Sequence, residues 1–366
     1  MYYSWHPRGK FVSNALPSEL DRILSRLISL QLSSREDMIA QLTELLGEYQ
    51  VEIRDRHNTS SIIFTFIVDT KHYGLKIEYG SAEVTRNEAH WYELAPAELK
   101  THYVISHDGE NYAFILLRWL THAQTIEEIA IANEGNSDNP TIDLVLQVLS
   151  QDKMLFDSAP SITMQTSRDS SYFLNKYRAY NARAVDYPYL QALLDADTVR
   201  LNDRELPGPE RFVQAVQQDD ELRVYLSPDR AGLIQGDPHM DNVLVEDGVV
   251  YFVDPKGVDH LPLEYDTGRV IWSLTGWNAI VRGEFTFEKL DDGYRLGVVG
   301  RQQYIDGLPR VRAYFSEQEY HRAVYSAAMQ YLTRVSHAAH EPEATALYLR
   351  GLELFADLFE ELGKQA

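Results

Sequence analysis

The segment LIQGDPHMDNVLVEDGVVYFVDPKG, residues 233–257, has the clearest structural pattern in the chain. Two β-branched and aromatic runs, VLV and VVYFV, flank an Asp-Gly pair, which is a strong signal for a β-hairpin. Antiparallel pairing then brings Asn242 and Asp254 side by side at the open end of the hairpin. Asp237 precedes Asn242 in the loop that leads to the same end. The segment therefore predicts three polar side chains gathered at one place.

These three side chains suit phosphate and metal chemistry. A carboxylate and an amide oxygen close together, here Asp254 and Asn242, are oxygen ligands that Mg²⁺ accepts. A second carboxylate, Asp237, is placed to orient a hydroxyl for attack. Asp and Asn also favour turns for local reasons, so each residue alone has a structural explanation. Their order and spacing around one hairpin favour a functional site.

The composition excludes several classes of protein. The chain has 366 residues, and its 34 Lys and Arg against 55 Asp and Glu give a net charge of −21. This charge argues against general binding of nucleic acid or anionic membrane and suits a cationic ligand, although solubility alone also explains it. Cysteine is absent, which excludes disulfides, thiolate nucleophiles and cysteine-based zinc sites. No apolar run reaches the roughly 18–20 residues of a membrane span, and no apolar stretch follows the basic N-terminus, so we expect a cytoplasmic protein without a signal peptide.

The first third of the chain combines helices with a small sheet. Apolar spacing predicts two amphipathic helices in residues 17–47, with Ser34 capping the second and Gly47 ending it. Residues 50–80 are β-rich, with a turn at TKH (70–72), residues 86–100 have helical spacing, and residues 101–120 again predict strands around Asp108–Gly109. A short hinge near 120–125 follows. Beyond it helical patterns dominate, in residues 123–151, 168–195, 208–220, 263–281 and 317–363, with a further hairpin or insertion at 283–299.

The motif GDPHMDN…VDPKG resembles the catalytic loop and metal-binding segment of the aminoglycoside phosphotransferase-like kinases, which are relatives of the protein kinases. Their pattern is His-Gly-Asp-x-His-x-x-Asn, followed about a dozen residues later by an Asp after an apolar strand. Gly236, Asp237, His239, Asn242 and Asp254 match it, whereas Gln235 replaces the first His. Gln can donate and accept hydrogen bonds, so we expect a retained loop with altered packing. The resemblance extends in pattern over residues 50–280 and is specific at 233–257.

The resemblance implies roles for these residues. Asp237 would be the catalytic residue that orients the acceptor hydroxyl, and Asn242 and Asp254 would hold Mg²⁺. His239 would support the loop. Asp266, in YDTGR, matches an Asp that opens a helix beneath the loop, where its role is structural.

The resemblance also requires a strand lysine paired with a glutamate on the next helix. Lys76 in YGLKIEYG and Glu88, twelve residues on, match this pair, with Glu83 and Glu93 as competitors for the partner. The pair would hold the α- and β-phosphates of a nucleotide. No G-x-G-x-x-G motif is present, so the phosphate-covering loop is placed by analogy at Ser60 and Ser61. The adenine would lie by the backbone near Leu117 and Trp119.

Acceptor binding is expected from the helical part of the chain. Candidates that would bind an amine or stack on a sugar are Asp259, Glu264 and Trp277, together with His260, Trp272 and Asn278. Core packing is the competing interpretation for the tryptophans, above all Trp272. The VDPKG run departs from the commoner aromatic after this Asp and is similar to a branch associated with polysaccharide and sugar-related products. The expected acceptor therefore shifts toward a sugar or another polar metabolite.

The resulting expectation is an α+β, two-lobed, protein-kinase-like fold. Residues 1–49 form a helical extension, residues 50–122 an antiparallel β N-lobe with one helix, and residues 123–366 a mainly helical C-lobe that carries the catalytic hairpin. The expected enzyme is a phosphotransferase that moves the γ-phosphate of ATP or GTP, with Mg²⁺, to a hydroxyl of an aminoglycoside or an amino-sugar-like metabolite. A protein Ser/Thr kinase, a nucleotidyl transferase and a degenerate kinase-fold binding protein remain as alternatives. A metal-dependent hydrolase lacks the expected His-rich cluster.

Overall fold

The computed structural model describes residues 17–55, 61–136, 140–164, 173–174, 176–179, 188–256, 261–335, 338 and 340–365. The chain divides into two compact units. The first unit contains Met1–Ala123 and Glu246–Val258, and the second contains Gln124–Val245 and Asp259–Ala366. The segment that carries Asp254 therefore belongs to the first unit, although it follows much of the second in the sequence.

A five-stranded sheet forms the centre of the first unit. Its strands are β1 (Glu52–Asp55), β2 (Ser61–Val68), β3 (Lys71–Tyr79), β4 (Tyr103–Asp108) and β5 (Tyr112–Arg118). They lie in the order β1-β2-β3-β5-β4, and every neighbouring pair is antiparallel. This confirms the small antiparallel sheet predicted for residues 50–120.

The turn between β2 and β3 differs from the expectation. Val68 pairs with Lys71, which leaves a two-residue loop of Asp69 and Thr70. Both loop residues have positive φ, 48° and 66°, as a type I′ turn requires to match the twist of the strands. The predicted turn at residues 70–72 is therefore displaced, and β3 begins at Lys71.

Two helices cover one face of this sheet. They are α1 (Ser18–Ile28) and α2 (Arg35–Leu46), and their buried leucines share one hydrophobic core with Leu75 and Ile77 of β3. Ser34 caps α2 by accepting a hydrogen bond from the amide of Asp37. The sequence suggests a separate extension for residues 1–49, whereas the described helices within that range pack as a layer of the first unit.

The other described elements of the first unit are a helix, a 3₁₀ turn and a strand. Helix α3 (Glu83–Leu94) and a 3₁₀ turn (Ala97–Leu99) occupy the segment in which helical spacing is expected. Strand β12 (Val249–Phe252) also belongs to the first unit, although it lies much later in the sequence. Asp247 and Gly248 before it have φ of 52° and 77°, which is again the primed-turn signature that the Asp-Gly pair predicts.

The second unit is mainly helical. Its described helices are α4 (Ile126–Ala132), α5 (Thr141–Ser158), α6 (Pro188–Leu194), α7 (Pro209–Gln218), α8 (Asp220–Leu226), α9 (Leu263–Leu274), α10 (Trp277–Val281), α11 (Gln302–Ala313), α12 (Glu317–Arg334) and α13 (Glu341–Glu361). Helix α9 packs on α12, and α12 packs on α13. A Cβ at Gly268 of α9 would lie 2.4 Å from Ser326 Oγ of α12, so these two helices approach closely through the glycine. Half of the segment expected as a helix at 168–195 lies outside the described residues.

Short strands complete the second unit. They are β6 (Gln124–Thr125), β7 (Ile162–Thr163), β8 (Thr198–Leu201), β9 (Arg204–Pro207), β10 (Arg230–Ala231), β11 (Val243–Glu246, of which the last residue belongs to the first unit), β13 (Phe285–Leu290) and β14 (Gly293–Val298). The hairpin expected at 283–299 is present as β13 and β14. It is extended to the order β13-β14-β8-β9, and β8, β9 and helix α11 are elements that sequence reasoning does not predict.

In the ranges that the structure describes, no helix combines the length and the apolar character that crossing a bilayer demands.

Candidate active site

One face of the five-stranded sheet carries the predicted lysine. Lys76 pairs with Ile63 on β2 and with Ile115 on β5, and Gly74 pairs with Leu117 on β5. Directly paired residues of an antiparallel sheet point to the same side. These five residues therefore lie on one face, opposite the face that α1 and α2 cover.

Lys76 lies between two carboxylates of the first unit. Its Nζ is 2.5 Å from Glu88 Oε2 of α3 and 2.8 Å from Asp254 Oδ1. The second oxygen of Asp254 is 2.7 Å from Lys256 Nζ. Glu88 is 2% exposed and Lys76 13%, whereas Asp254 is 44% exposed. The predicted pair is thus in contact, and of the three glutamates considered Glu88 is the one that contacts Lys76.

Burial and charge oppose each other in this cluster. Burial lowers the pKa of Lys76, but Glu88 and Asp254 outweigh it and raise that pKa above its usual range. Burial raises the pKa of the Glu88 carboxyl, and Lys76 offsets this only in part. At Asp254 the balance is reversed, because Lys76 and Lys256 overcome burial and lower its pKa. The cluster therefore presents Asp254 as an ionised carboxylate.

A buried carboxylate fixes the start of α3. Glu78 is buried on β3 and accepts a hydrogen bond from the amide of Thr85 at 3.0 Å. Negative charge at a helix N-terminus satisfies unpaired amides and complements the helix dipole. Arg86 further ties this end to the turn after β4, through Asp108 Oδ1 at 2.6 Å and the carbonyl of Gly109 at 3.1 Å. These contacts hold the helix that carries Glu88.

Trp119 packs closely on the sheet. A Cβ at Gly74 would meet Trp119 Cε3 at 2.5 Å, so only glycine permits the indole to lie there. The guanidinium of Arg54 stands 5.1 Å from the centre of the indole ring, a cation–π distance. The amide of Trp119 donates to the carbonyl of His72 at 2.9 Å. Two of the residues predicted for nucleotide binding, Leu117 and Trp119, thus lie at the Gly74 end of the Lys76 face.

The loop with Asp237 lies in the second unit and is held by its own hydrogen bonds. Gly236 has φ of 93°, a conformation that favours glycine. The amide of Asp237 donates to Gln235 Oε1 at 2.6 Å, so the residue that replaces the expected His supports the loop directly. Asn242 Nδ2 donates to the carbonyl of Asp237 at 3.1 Å. That bond uses the amide nitrogen and leaves the Asn242 oxygen as the atom suited to a cation.

A buried arginine contacts Asp237. Arg269 Nε of α9 is 3.3 Å from Asp237 Oδ1. The Arg269 guanidinium stacks 4.5 Å from the ring centre of Trp272 and donates to the Tyr265 hydroxyl at 3.2 Å. Lys176 also donates to that hydroxyl, at 2.9 Å. Sequence reasoning misses Arg269, although an arginine within the apolar run RVIW of a predicted helix is a signal for a buried partner.

Two buried carboxyls lie behind the loop. Asp266 accepts from the amide of Gly236 with both oxygens at 3.0 Å, as its expected structural role requires. It lies in the first turn of α9, after the N-cap Pro262, and is not itself the cap. Asp152 of α5 is 1% exposed, and neither of its oxygens has a hydrogen-bond partner among the described residues. Burial, and then the charge of Asp266, raise the pKa of Asp152, and burial also raises the pKa of Asp266.

Trp277 does not meet the expectation of an open stacking surface. It is 5% exposed, its ring stacks on Trp272 at 4.0 Å, and His239 lies 4.7 Å away. Burial lowers the pKa of His239 despite the nearby Asp237, which favours a neutral imidazole. Both tryptophans therefore belong to the packing that supports the loop.

The other predicted residues are placed as follows. Ser61 begins β2 and pairs with Glu78, whereas Ser60 lies outside the described residues. Asp259 and His260 also lie outside them. Glu264 is mostly buried, with its Oε1 3.7 Å from Arg322 Nη1, so its charge is matched within the protein. Asn242 belongs to the second unit and Asp254 to the first.

Comparison with known proteins identifies the fold. No family profile and no curated protein sequence matches the chain. Among solved structures, a glucosamine kinase in complex with glucosamine, ADP and inorganic phosphate matches at a TM-score of 0.53, over 90% of this chain and 88% of its own, with 13% identity. The chain has the fold of the protein-kinase-like small-molecule kinases.

Aminoglycoside phosphotransferase APH(4)-Ia supports the same conclusion. It matches at a TM-score of 0.50 over 88% of this chain and 98% of its own, with 11% identity. A thermostable mutant of that enzyme, in a ternary complex with AMP-PNP and hygromycin B, matches at 0.50 over 86% of this chain and 97% of its own, with 12% identity. The α+β fold predicted from the sequence is confirmed.

Proposed function

We propose that the chain is a small-molecule kinase that moves the γ-phosphoryl group of ATP or GTP to a hydroxyl of a polar acceptor. The contact of Lys76 with Glu88 and Asp254 carries the proposal. A lysine held by a buried glutamate, beside an ionised carboxylate on a kinase-like fold, is suited to binding nucleotide phosphates.

The donor nucleotide is proposed to bind on the Lys76 face of the sheet. Lys76 would contact the α- and β-phosphates, and Glu88 would orient the Lys76 ammonium. Leu117 and Trp119 would contact the base at the Gly74 end of this face. Ser61, with Ser60, would lie near the phosphates and offer hydroxyl and amide donors.

Mg²⁺ fits the residues assigned to it. Asp254 is held ionised by two ammonium groups, and Asn242 directs its nitrogen to the Asp237 carbonyl, so each residue offers an oxygen. Such oxygens are the ligands that Mg²⁺ prefers. Asp254 and Asn242 would hold the ion, which when bound neutralises charge on the transferring phosphoryl group.

Asp237 is proposed to act on the acceptor. The acceptor hydroxyl oxygen would form a bond to the γ-phosphorus, while the bond from that phosphorus to the β–γ bridging oxygen breaks and ADP or GDP leaves. The hydroxyl proton would pass to the Asp237 carboxylate. Arg269 would fix the orientation of Asp237 through the 3.3 Å contact, which matters because positioning supplies much of the rate in phosphoryl transfer.

The acceptor is proposed to be an aminoglycoside or an amino-sugar-like metabolite. The net charge of −21 favours a cationic compound. Two solved structures of similar fold contain such compounds, glucosamine in one and hygromycin B in the other. Asp259 stays a proposed acceptor residue. Glu264 is a weaker one, since it is paired with Arg322.

The proposal is tested by Mg²⁺-dependent ADP release over a panel of aminoglycosides, amino sugars, neutral sugars and amino alcohols. We expect turnover with an amino-sugar acceptor, lost in Asp237→Asn and Asp254→Asn. Asp291→Asn is the matched control, because Asp291 is exposed on the turn between β13 and β14 and should leave turnover unchanged. Nucleotide binding without turnover on any acceptor would contradict the acceptor class, and failure to bind either nucleotide would contradict the kinase function.

A further inference from the structure

An imidazole and two carboxylates meet in the second unit, and none of them belongs to the candidate active site. They are Glu317 and His321 of α12 and Glu361, the last residue of α13. One nitrogen or oxygen atom from each residue lies within 4.8 Å of those from the other two. Glu317 and His321 are four positions apart, so they share one face of α12. The helices thus bring one nitrogen and two oxygen ligands to one place.

His321 is buried, and one of its ring nitrogens lacks a hydrogen-bond partner. The residue is 2% exposed, and Nδ1 lies 2.9 Å from the Tyr225 hydroxyl. Nε2 makes no hydrogen bond among the described residues. A buried polar atom without a partner is costly, so it calls for a physical explanation. If the Tyr225 oxygen accepts the proton of Nδ1, the neutral ring presents Nε2 as a lone pair.

The position of Glu361 fits a shared ion better than a hydrogen bond. Glu361 Oε1 is 3.1 Å from His321 Nε2, but it lies too far from the direction of an Nε2 proton to accept that proton. Two ligands of one zinc ion, each about 2.0–2.2 Å from it, are about 3–3.5 Å apart. An ion along the direction of the Nε2 lone pair can therefore also contact Oε1. Glu317 is exposed, so its side chain is able to approach the same ion.

The charges around the cluster also favour a cation. Glu361 ends α13, and negative charge is unfavourable at that end of a helix because of the helix dipole. Arg312 of α11 offsets this charge through an ion pair with Glu361 Oε1. The Arg312 side chain is 45% exposed, and exposed ion pairs contribute little to stability. A divalent cation can therefore displace the guanidinium from this oxygen.

We propose that Glu317, His321 and Glu361 form a binding site for Zn²⁺. A nitrogen ligand favours Zn²⁺ over Mg²⁺ and Ca²⁺, which prefer oxygen ligands. Three protein ligands leave the fourth position of a tetrahedral ion for water. The Tyr225 hydroxyl fixes the orientation of the His321 ring, as the outer partners of metal-binding histidines do. The ion links the start of α12 to the end of α13, and this role is independent of the proposed kinase function.

Zn²⁺ titration of the full chain, in excess Mg²⁺ and with a competing chelating dye, tests the proposal. We expect one Zn²⁺ for each chain. Glu317→Gln and Glu361→Gln should each weaken binding by more than about tenfold, since loss of a residue that only supports a ligand already costs about that much. Glu360→Gln is the matched control, because Glu360 lies in the same last turn of α13 but pairs with Arg204 at 3.6 Å. Its affinity for Zn²⁺ should equal that of the wild type.

Thermal unfolding and Arg312→Gln separate a metal site from a network of ion pairs. Zn²⁺ should raise the Tm of the wild type but not that of Glu361→Gln, because a ligand stabilises only the folded state that binds it. Arg312→Gln removes the competing guanidinium and should strengthen Zn²⁺ binding. Weaker binding in this variant would show that Glu361 needs Arg312 rather than an ion, and it would overturn the proposal. So would a wild type that binds no Zn²⁺, or an affinity that neither Glu317→Gln nor Glu361→Gln changes.

Discussion

Replacing Lys76 with methionine tests the buried ion pair on which the site depends. Glu88 is 2% exposed, and the bond from Lys76 is the only hydrogen bond that its carboxylate accepts among the described residues. Methionine preserves the length and the apolar stem of the lysine but removes its charge. The variant therefore leaves a carboxylate buried without a cation, whereas the more exposed Asp254 keeps Lys256.

The expected cost depends on pH. A buried carboxylate left unpaired costs about 3–5 kcal/mol while it stays ionised. It escapes this cost by taking a proton, which requires about 1.4 kcal/mol for each pH unit above its unfolded pKa of about 4.3. The cost of Lys76→Met is therefore about 1 kcal/mol at about pH 5 and about 3–5 kcal/mol at about pH 8. Without Lys76, the folded state of the variant binds more protons than its unfolded state. The stability of the variant therefore falls as pH rises.

The opposite variant behaves differently. Glu88→Gln leaves Lys76 with Asp254 at 2.8 Å, so its charge keeps a partner. We expect this variant to cost about 1 kcal/mol or less, the usual net value of a hydrogen bond. The cost should fall as pH rises, opposite to the trend of Lys76→Met, because the variant removes a carboxyl of raised pKa. The double variant should be more stable than Lys76→Met alone at about pH 8, because no unpaired charge remains.

Hydrogen exchange of the β3 and α3 amides measures these costs in the first unit, independently of unfolding in the second. Exchange at each pH is normalised to the rate of the unfolded chain. Equal costs for the two single variants, without dependence on pH, would show that Glu88 does not depend on Lys76 for its charge. So would a double variant that is less stable than Lys76→Met.

Three further predictions concern the groups around the site. Asp152→Asn removes a buried acid of raised pKa, so it should raise the free energy of unfolding by at least about 1 kcal/mol at about pH 8. Near about pH 4 the free energy of unfolding should stay unchanged. Denaturant unfolding at both pH values measures this, and the opposite pH trend would contradict it. Gly74→Ala forces a Cβ to within 2.5 Å of Trp119 and should lower the free energy of unfolding by about 1–3 kcal/mol. Denaturant unfolding should show no such loss in a Trp119→Ala background. A loss that persists there would place the strain elsewhere. Arg269→Lys keeps the charge beside Asp237 but loses the stacked guanidinium, so kcat should fall about tenfold or more while AMP-PNP affinity is retained. An equal fall in kcat and in AMP-PNP affinity would show a general loss of structure.

The elements that could be predicted are those with strong local signals. The alternation along β3 and the helical spacing after it placed Lys76 and Glu88 on neighbouring elements, and the structure brings these side chains into contact. The capping by Ser34 followed from its position before acidic residues in the first turn of α2. Each of these depends on residues close together in the sequence.

The features that escaped prediction depend on contacts distant in the sequence. Arg269 contacts Asp237 from a helix that begins well after the loop, and no local pattern states which way that arginine points. The sequence predicts Trp277 as an acceptor-binding residue, but its side chain is buried by stacking on Trp272. The Asn202–Asp203 pair is a local turn signal between β8 and β9, and both residues have positive φ in the two-residue turn there. Four-residue strands give too short an alternation to stand out from helical patterns.

Some predictions stay predictions. Two of them join residues of the two units. They are the register that sets Asn242 opposite residue 253 and the shared metal role of Asn242 and Asp254. Ser60 of the phosphate-covering loop and the acceptor residue Asp259 lie outside the described residues. Ligand-binding measurements on Asn242→Ala and Asp259→Asn would test the metal role of Asn242 and the acceptor role of Asp259.

Mass spectrometry of the product shows whether the protein transfers a phosphoryl group to a small molecule. The protein is incubated with Mg²⁺, ATP and the acceptor that releases ADP, and the mass of the acceptor is determined together with the amount of ADP. We predict that the acceptor gains one phosphoryl group for each ADP formed, and that Asp237→Asn abolishes both products. An acceptor that gains a nucleotidyl group, or ADP formed without any modified acceptor, would show that the protein is not a small-molecule kinase.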